Sequence, residues 1–326
     1  MKNRSLFITV ILLLIGVMTL SAFAVINTGN TTKKSRVTVI VDNSGDSKWN
    51  SFKEGLDQGA ADHNMSINYV TTDSFTSLEN ERKIVEAEMD DGCDGMILQP
   101  YSSTGMNSVV TDIISRVPLV FVTSGVSADV DVDGRYSVTS VDDDALGKTL
   151  ANEMKMDNGN TLEGVRIGIL SGRQRTDNMK KRLEGLKATL DGTGCSIAWE
   201  YDSTFPPESK VKSSLKNSEV DIICSLDDES LALAAEAILG NDTGDEVKLY
   251  GEGSSQENLY YLRNGVIDSM IVVDGFTLGY ESVSAIAQRI SSRQIPMQDA
   301  ETDFKMVSSD DIFDESNQRM LFPMQE

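Results

Sequence analysis

The chain is predicted to be an α/β protein of two lobes, and three observations carry that prediction. Short β-branched runs alternate with longer stretches in which apolar residues recur at helical spacing. Each run opens into a polar corner. The alternation then stops in a polar passage at residues 126–135 and restarts on the same plan. Alternating strands and helices imply parallel sheets with right-handed crossovers, so each half is read as one Rossmann-like lobe.

The first unit sets the pattern. Residues 37–41 (VTVIV) read as a buried strand, 42–46 (DNSGD) as a polar loop, and Trp49, Phe52, Leu56 and Ala60 as one face of a helix. Such strand-to-helix corners, at the carboxyl ends of parallel strands, are where open α/β sheets hold ligands. A strand follows at 67–70, and Leu78, Ile84, Val85 and Met89 mark a helix that Gly92 ends. The third strand, 95–98, opens into Gln99 and Pro100. Met106, Val109, Val110, Ile113 and Ile114 form the next helical stripe, which Pro118 closes, and the strand 119–122 opens into Thr123 and Ser124.

In the second half a helix is expected from Asp142 to about Met156, its aspartates complementing the dipole of the first turn. Strands are expected at 165–170, 197–200, 221–225, 247–251 and 270–273. Helices are expected at 177–190, 211–215, 229–239 and 257–263, then over 276–290, before a last apolar segment at 304–307. Two such lobes create a cleft at their boundary, a favoured place for a small ligand.

The chain has 326 residues, long enough for two domains, and its 40% hydrophobic and 25% charged content is that of a folded protein. Its 29 basic against 51 acidic residues give a net charge of -22. That opposes nucleic-acid binding, which needs clustered Lys and Arg to neutralise phosphate. Cys93, Cys195 and Cys224 are too few for a disulfide framework, although a bridge between two of them stays open. The single histidine, His63, leaves zinc sites and histidine-based triads without a second ligand or partner. With no Gly-rich phosphate loop either, a binding module is expected rather than an enzyme, with no cofactor and no metal.

Lys2 and Arg4 precede an uncharged apolar run from Leu6 to Ile26. That is about the 20 residues one helix needs to cross a bilayer. With the basic side retained in the cytoplasm, everything after it lies outside the cell membrane. Ala22 and Ala24 flank Phe23 in a signal-peptidase-like pattern, so cleavage and secretion is the alternative to an uncleaved anchor. Residues 27–35 read as a short polar linker.

Seven pieces in order resemble one family: the opening unit at 37–59, DGMILQP at 94–100, PLVFV at 118–122, VDDDALG at 141–147, RLEG at 182–185, LDDESLA at 226–232 and DGFTLGY at 274–280. Over about residues 36 to 307 the chain is similar to the type I periplasmic binding proteins of the ribose and galactose receptor group, which share a fold with the ligand-binding cores of lac-repressor-type regulators. The resemblance implies two lobes joined by a three-crossing hinge. The first would take 36–139 plus 275–294 and the second 140–274 plus 295–326. It implies capture of a small sugar-like ligand by hinge closure, for delivery to an ABC transporter permease; the apparent anchor and the departures from the family's sugar contacts make a membrane sensor kinase the alternative protein partner.

The resemblance also nominates contacts. Trp49 matches an aromatic residue that stacks on a sugar ring, and Asp46 and Gln99 match hydrogen-bonding positions. Lys180 falls where the family often has a ligand-binding arginine, with Arg182 beside it. Asp227 matches a common polar contact, whereas Asp228 is read as a helix cap. Thr123 and Ser124 replace an Asp-Arg pair, Glu252 stands near a position that usually holds an aspartate, and Asp274 is the candidate to replace a polar contact that has become Val273.

Overall fold

The computed structural model describes residues 34–127, 134–172, 175–202, 208–217, 219–241 and 246–321. The expected membrane helix at 1–26 and most of the linker lie outside them. Among the described residues no helix is long and apolar enough to cross a membrane.

The first lobe is built from β1 (Ser35–Ile40), α1 (Asn50–Asp62), β2 (Met65–Tyr69), α2 (Leu78–Asp90), β3 (Gly95–Leu98), α3 (Asn107–Arg116), β4 (Leu119–Val122) and β5 (Tyr136–Val141). The second adds α4 (Asp143–Asp157), β6 (Arg166–Ser171), α5 (Asp177–Leu190), β7 (Ser196–Asp202), α6 (Glu208–Lys216) and β8 (Ile222–Ser225). It continues through α7 (Asp228–Leu239), β9 (Lys248–Glu252), α8 (Gln256–Arg263) and β10 (Ser269–Val273). The chain ends with α9 (Gly275–Ser291), β11 (Ala300–Thr302), β12 (Phe304–Ser308) and α10 (Glu315–Leu321).

Two six-stranded sheets result, ordered β11-β5-β4-β3-β1-β2 and β12-β10-β9-β8-β6-β7. Among the registers described, every pairing is parallel except β12 with β10. Each sheet is buried on both faces. In the first lobe α1 and α9 cover one face and α2 and α3 the other, while in the second α4 and α5 lie opposite α6, α7 and α8.

The chain passes between the lobes three times. It leaves the first sheet between Val141 and Asp143, returns between Val273 and Gly275, and leaves again at Asp303. Two passages touch, the Asp274 amide donating to the Asp303 carbonyl at 2.9 Å. Because β11 pairs with β5 in the first sheet, the last passage falls later than the boundary at 294/295 implied by the resemblance. The sequence pattern does not mark β5 as a strand. Its residues, YSVTSV, alternate half-buried and buried positions, and the buried ones include Ser137 and Thr139, so the strand lacks the apolar run that marks its neighbours.

Glycine seams fix the helix pairs within each lobe. A Cβ on Gly55 would lie 2.0 Å from the Phe276 carbonyl oxygen, and one on Gly279 would lie 2.2 Å from that of Phe52, so α1 and α9 touch backbone to backbone. In the second lobe Gly147 and Gly185 repeat the arrangement, at 2.0 Å from the Arg182 oxygen and 2.2 Å from the Asp144 oxygen. These four glycines sit in motifs that carry the family resemblance. Their packing sets where Trp49, just before α1, and Arg182, on α5, meet the cleft.

Candidate functional site

The cleft between the lobes encloses a cavity of about 150 Å³. At about 10–15 Å³ of such volume per water, it matches one small polar molecule. The first lobe supplies Lys48, Trp49, Phe52, Gln99, Thr123, Gly275 and Leu278. The second supplies Asn178, Met179, Arg182, Asp227, Asp228, Glu252 and Ser254, and Ser140 and Val141 at the end of β5 and Val273 at the end of β10 line it next to the passages between the lobes.

Trp49 combines a core role with a cleft role. Its indole is 5% exposed and tilted against Phe52 with ring centroids 5.5 Å apart, while Nε1 donates to the Asp42 carbonyl at 3.0 Å. The ring is therefore held by packing and one hydrogen bond, and its remaining surface faces the cavity. Gln99 is oriented by the same corner, its Oε1 accepting from the Asp42 amide at 2.8 Å. That fixes the Gln99 amide group, whose Nε2 hydrogens are its donors. Thr123 holds the left-handed region at φ 66, a conformation that costs free energy for a β-branched residue and clusters at functional corners.

The opposite wall is organised around Arg182, which is 5% exposed. Its Nε donates to Asp143 at 2.7 Å, and its Nη1 donates to Glu252 and to the Leu226 carbonyl, both at 2.8 Å. Burial works against the guanidinium charge, but Glu252 and Asp143 hold it more firmly protonated than usual. Burial pushes Glu252 up to about 7; Arg182 opposes that shift, and Asp228 and Asp227 add to it. Asp143 is likewise raised by burial against the pull of Arg182. Arg182 thus carries two carboxyl groups, and the wall is rich in acceptors.

The residues expected at the site fall into two groups. Trp49, Gln99, Thr123, Asp227 and Glu252 come together around the cavity, whereas Asp46, Ser124, Lys180 and Asp274 do not line it. Asp46 caps the short turn Ser47–Trp49 by accepting from the Lys48 amide. Ser124 is buried beside Ser103, with the hydroxyls 3.2 Å apart. Lys180 projects from α5 to Asp177 at 3.2 Å. Asp274 caps α9 through the Thr277 amide and hydroxyl.

The roles at Asp227 and Asp228 also differ from expectation. Asp227 is the N-cap of α7, accepting from the Ser230 amide and hydroxyl, while Asp228 binds the Ser254 and Ser255 amides at 2.6 and 2.8 Å. The second aspartate therefore ties the loop after β9 to α7 instead of capping the helix.

Arg182 lies buried in the cavity wall, beside Asn178, which the sequence does not single out. A helical signal could have found both. Met179, Leu183 and Leu186 mark the buried stripe of α5, and positions 178 and 182 flank it four residues apart, whereas Lys180 points away. Asn178 Oδ1 is buried without a hydrogen-bond partner.

The lobes are closed on one another. On one side of the cleft Ser103 N and Ser102 Oγ donate to the Arg175 carbonyl at 3.0 and 3.3 Å. There too the Asp177 amide donates to Ser103 Oγ at 2.8 Å, and the Arg175 guanidinium lies 4.8 Å from the Tyr101 ring centroid. On the other side Ser254 Oγ donates to the Lys48 carbonyl at 3.5 Å and the Gln256 amide to Ser47 Oγ at 3.1 Å.

Comparison with known proteins fits this geometry. The model of a family described as the periplasmic binding protein domain matches residues 37–294. No curated protein matches the sequence. Among solved structures, a carbohydrate transporter solute-binding protein from Agrobacterium radiobacter in complex with D-arabinose is 16% identical with a TM-score of 0.78, covering 89% of this chain and 100% of its own. An ABC transporter solute-binding protein from Agrobacterium vitis with bound D-fucose is 18% identical with a TM-score of 0.78, over 88% and 100%. A chain of a XylFII–LytSN complex is 17% identical with a TM-score of 0.73, over 85% and 99%. At these identities the likeness is one of fold.

Proposed function

The chain belongs to the periplasmic binding protein domain family, and from that premise we propose that it is an exported, membrane-tethered solute-binding protein that captures a small sugar-like ligand between its lobes. Binding involves no chemistry; the ligand is delivered to an ABC-type permease. The observation that carries this reading is the cavity itself, whose walls come from both lobes: an indole and an amide on one side, and Arg182 with its carboxyl partners on the other. A ligand that contacts both walls at once favours the closed arrangement over the open one, so closure reports occupancy. The uncharged run at 6–26, preceded by Lys2 and Arg4, supports export and tethering to the outer side of the cell membrane.

Hydroxyl-rich rings suit these walls. Carboxylates and amides accept from hydroxyls, the guanidinium and amide hydrogens donate to them, and an indole face covers the apolar side of a sugar ring. Thermal unfolding of the protein against a panel of neutral sugars, polyols, nucleosides and amino acids tests the reading. A ligand at a hundred times its dissociation constant adds about 2.7 kcal/mol to stability. A stabilising shift confined to nucleosides or amino acids would replace the sugar reading, and no shift with any compound would remove the binding reading altogether.

A second reading is a co-receptor for a membrane sensor kinase, in which closure is read by a partner protein. The XylFII–LytSN neighbour, a protein of this fold solved with a second protein, favours it, as does the anchor expected from the sequence. Co-purification of the tethered protein with a permease or with a kinase separates the two.

A further inference from the structure

Behind the cleft lies a second cavity, of about 280 Å³, separated from the first by the strip of Lys48, Ser254, Val273 and Gly275 that lines both. Its walls again come from both lobes. Ser51 and Glu54 stand on the first two turns of α1, while Leu259 on α8, Val272 on β10 and Met320 and Leu321 on α10 face them from the second lobe.

The two halves differ in chemistry. On the α1 side, Ser51 Oγ and Glu54 Oε2 are buried and have no hydrogen-bond partner, and Glu54 forms no ion pair among the described residues. Nearby cations are engaged elsewhere: Lys48 lies 3.8 Å from Asp46, and Lys53 donates to the Ser44 carbonyl at 2.6 Å. A buried carboxylate only accepts, so its complement is a hydrogen-bond donor, best a charged one. On the far side Leu259, Val272, Met320 and Leu321 present hydrocarbon and a thioether, with Ser254 and Gln256 the polar residues of that wall and no charged group among them.

The geometry points to a second binding site, for a small amphiphilic amine. Its ammonium group is taken by Glu54 and Ser51, and its hydrocarbon body lies on Leu259, Met320 and Leu321. Because the walls belong to different lobes and meet beside the passage from Val273 to Gly275, an occupant also holds the lobes in the closed arrangement. The site is separate from the main cleft, and because both occupants favour the closed arrangement each strengthens binding of the other.

Calorimetric titration of the full-length protein with n-butylammonium, and with n-butanol and butyrate as uncharged and oppositely charged matches, tests the assignment. Saturable binding is expected for butylammonium, weaker binding for butanol and none for butyrate. Glu54→Gln should weaken butylammonium binding about tenfold or more, the scale of a hydrogen bond to a charged group. Leu259→Ala, which leaves the carboxylate in place, should weaken it too and decides the question if Glu54→Gln does not fold. Absence of saturable binding, butyrate binding as well as butylammonium, or affinity unchanged in either folded variant overturns the assignment.

Discussion

Arg182 donates to Glu252 at 2.8 Å across the floor of the second-lobe wall, from a position only 5% exposed. Its second carboxyl partner, Asp143, belongs to a neighbouring helix, so one side chain joins α4, α5 and β9. Removing it strands two buried carboxyl groups. Arg182→Met is expected to cost about 3–5 kcal/mol, the scale for breaking a buried ion pair from one side. The double variant with Glu252→Gln should recover part of that loss. Urea unfolding of the four proteins of this cycle measures both.

Glu81 predicts an unusual pH dependence. It is fully buried at the edge of the first-lobe corner; one oxygen accepts from the Tyr101 amide at 3.0 Å and the other has no partner. Burial, with the nearby Asp42 charge, raises it from 4.5 to about 8. The folded protein therefore keeps a proton that the unfolded chain releases. This contribution to stability is complete below the unfolded value and is lost as pH rises through about 8. Unfolding free energy should fall by up to about 1.4 kcal/mol per pH unit within that window. Glu81→Gln should flatten the slope, and an unchanged slope would remove Glu81 as its source.

The glycine seam between α1 and α9 makes a steric prediction. Gly279→Ala places a methyl 2.2 Å from the Phe52 carbonyl, and neither backbone can yield without moving a helix. A loss of about 1–3 kcal/mol or more is expected. Gly265→Ala is the comparison: its φ of 70 strains the backbone but no atom lies within 4 Å of the new Cβ, so about 1 kcal/mol is expected there. Thermal melts rank the two.

Closure can be biased without touching the cavity. Ser103 Oγ accepts from the Asp177 amide and donates to the Gly125 carbonyl, both at 2.8 Å, so it links the lobes near one rim. Ser103→Ala should favour the open arrangement, seen as a larger radius of gyration by small-angle scattering. Any cleft ligand should bind several-fold more weakly because part of its binding free energy now goes into closing. Equal radii for the two proteins would show that this contact does not govern closure.

Trp49 separates packing from recognition. Trp49→Phe keeps an aromatic face beside Phe52 but deletes the bond to the Asp42 carbonyl, whereas Trp49→Ala empties the position. Truncation of so buried a ring should cost about 3–5 kcal/mol of stability. If the indole also covers a ligand, Trp49→Ala weakens binding more than Trp49→Phe does. Titration with whichever compound stabilises the parent provides the reading.

Most strands and helices were legible because burial on both faces of a parallel sheet demands apolar runs, and those runs are written plainly at 37–41, 95–98 and 119–122. β5 was not, since Ser137 and Thr139 occupy its buried positions. β11 was not, because three residues, AET, carry no periodicity. In the cleft, position along the chain proved less informative than helical phase. Asp46 and Asp274 stand at corners that face the cleft, but their carboxylates turn back to cap the next turn. Lys180 and Arg182 are two residues apart in sequence and on different faces of α5, and the apolar stripe through Met179 and Leu183 distinguishes them. The unpaired oxygens of Asn178 and Glu54 could not have been read from sequence, since an orphaned polar atom is defined by what surrounds it in space.

The four seam glycines divide the molecule into parts that tolerate substitution very differently. Within each lobe the helix pairs are locked at backbone contact, where even one added carbon has nowhere to go. Gln99, after β3, Asn178, on α5, and Ser254, after β9, line the gap and touch none of those glycine contacts. A selection for new ligand preference should therefore accumulate its changes at such cleft positions while Gly55, Gly147, Gly185 and Gly279 stay fixed, which makes the protein a convertible recognition chassis.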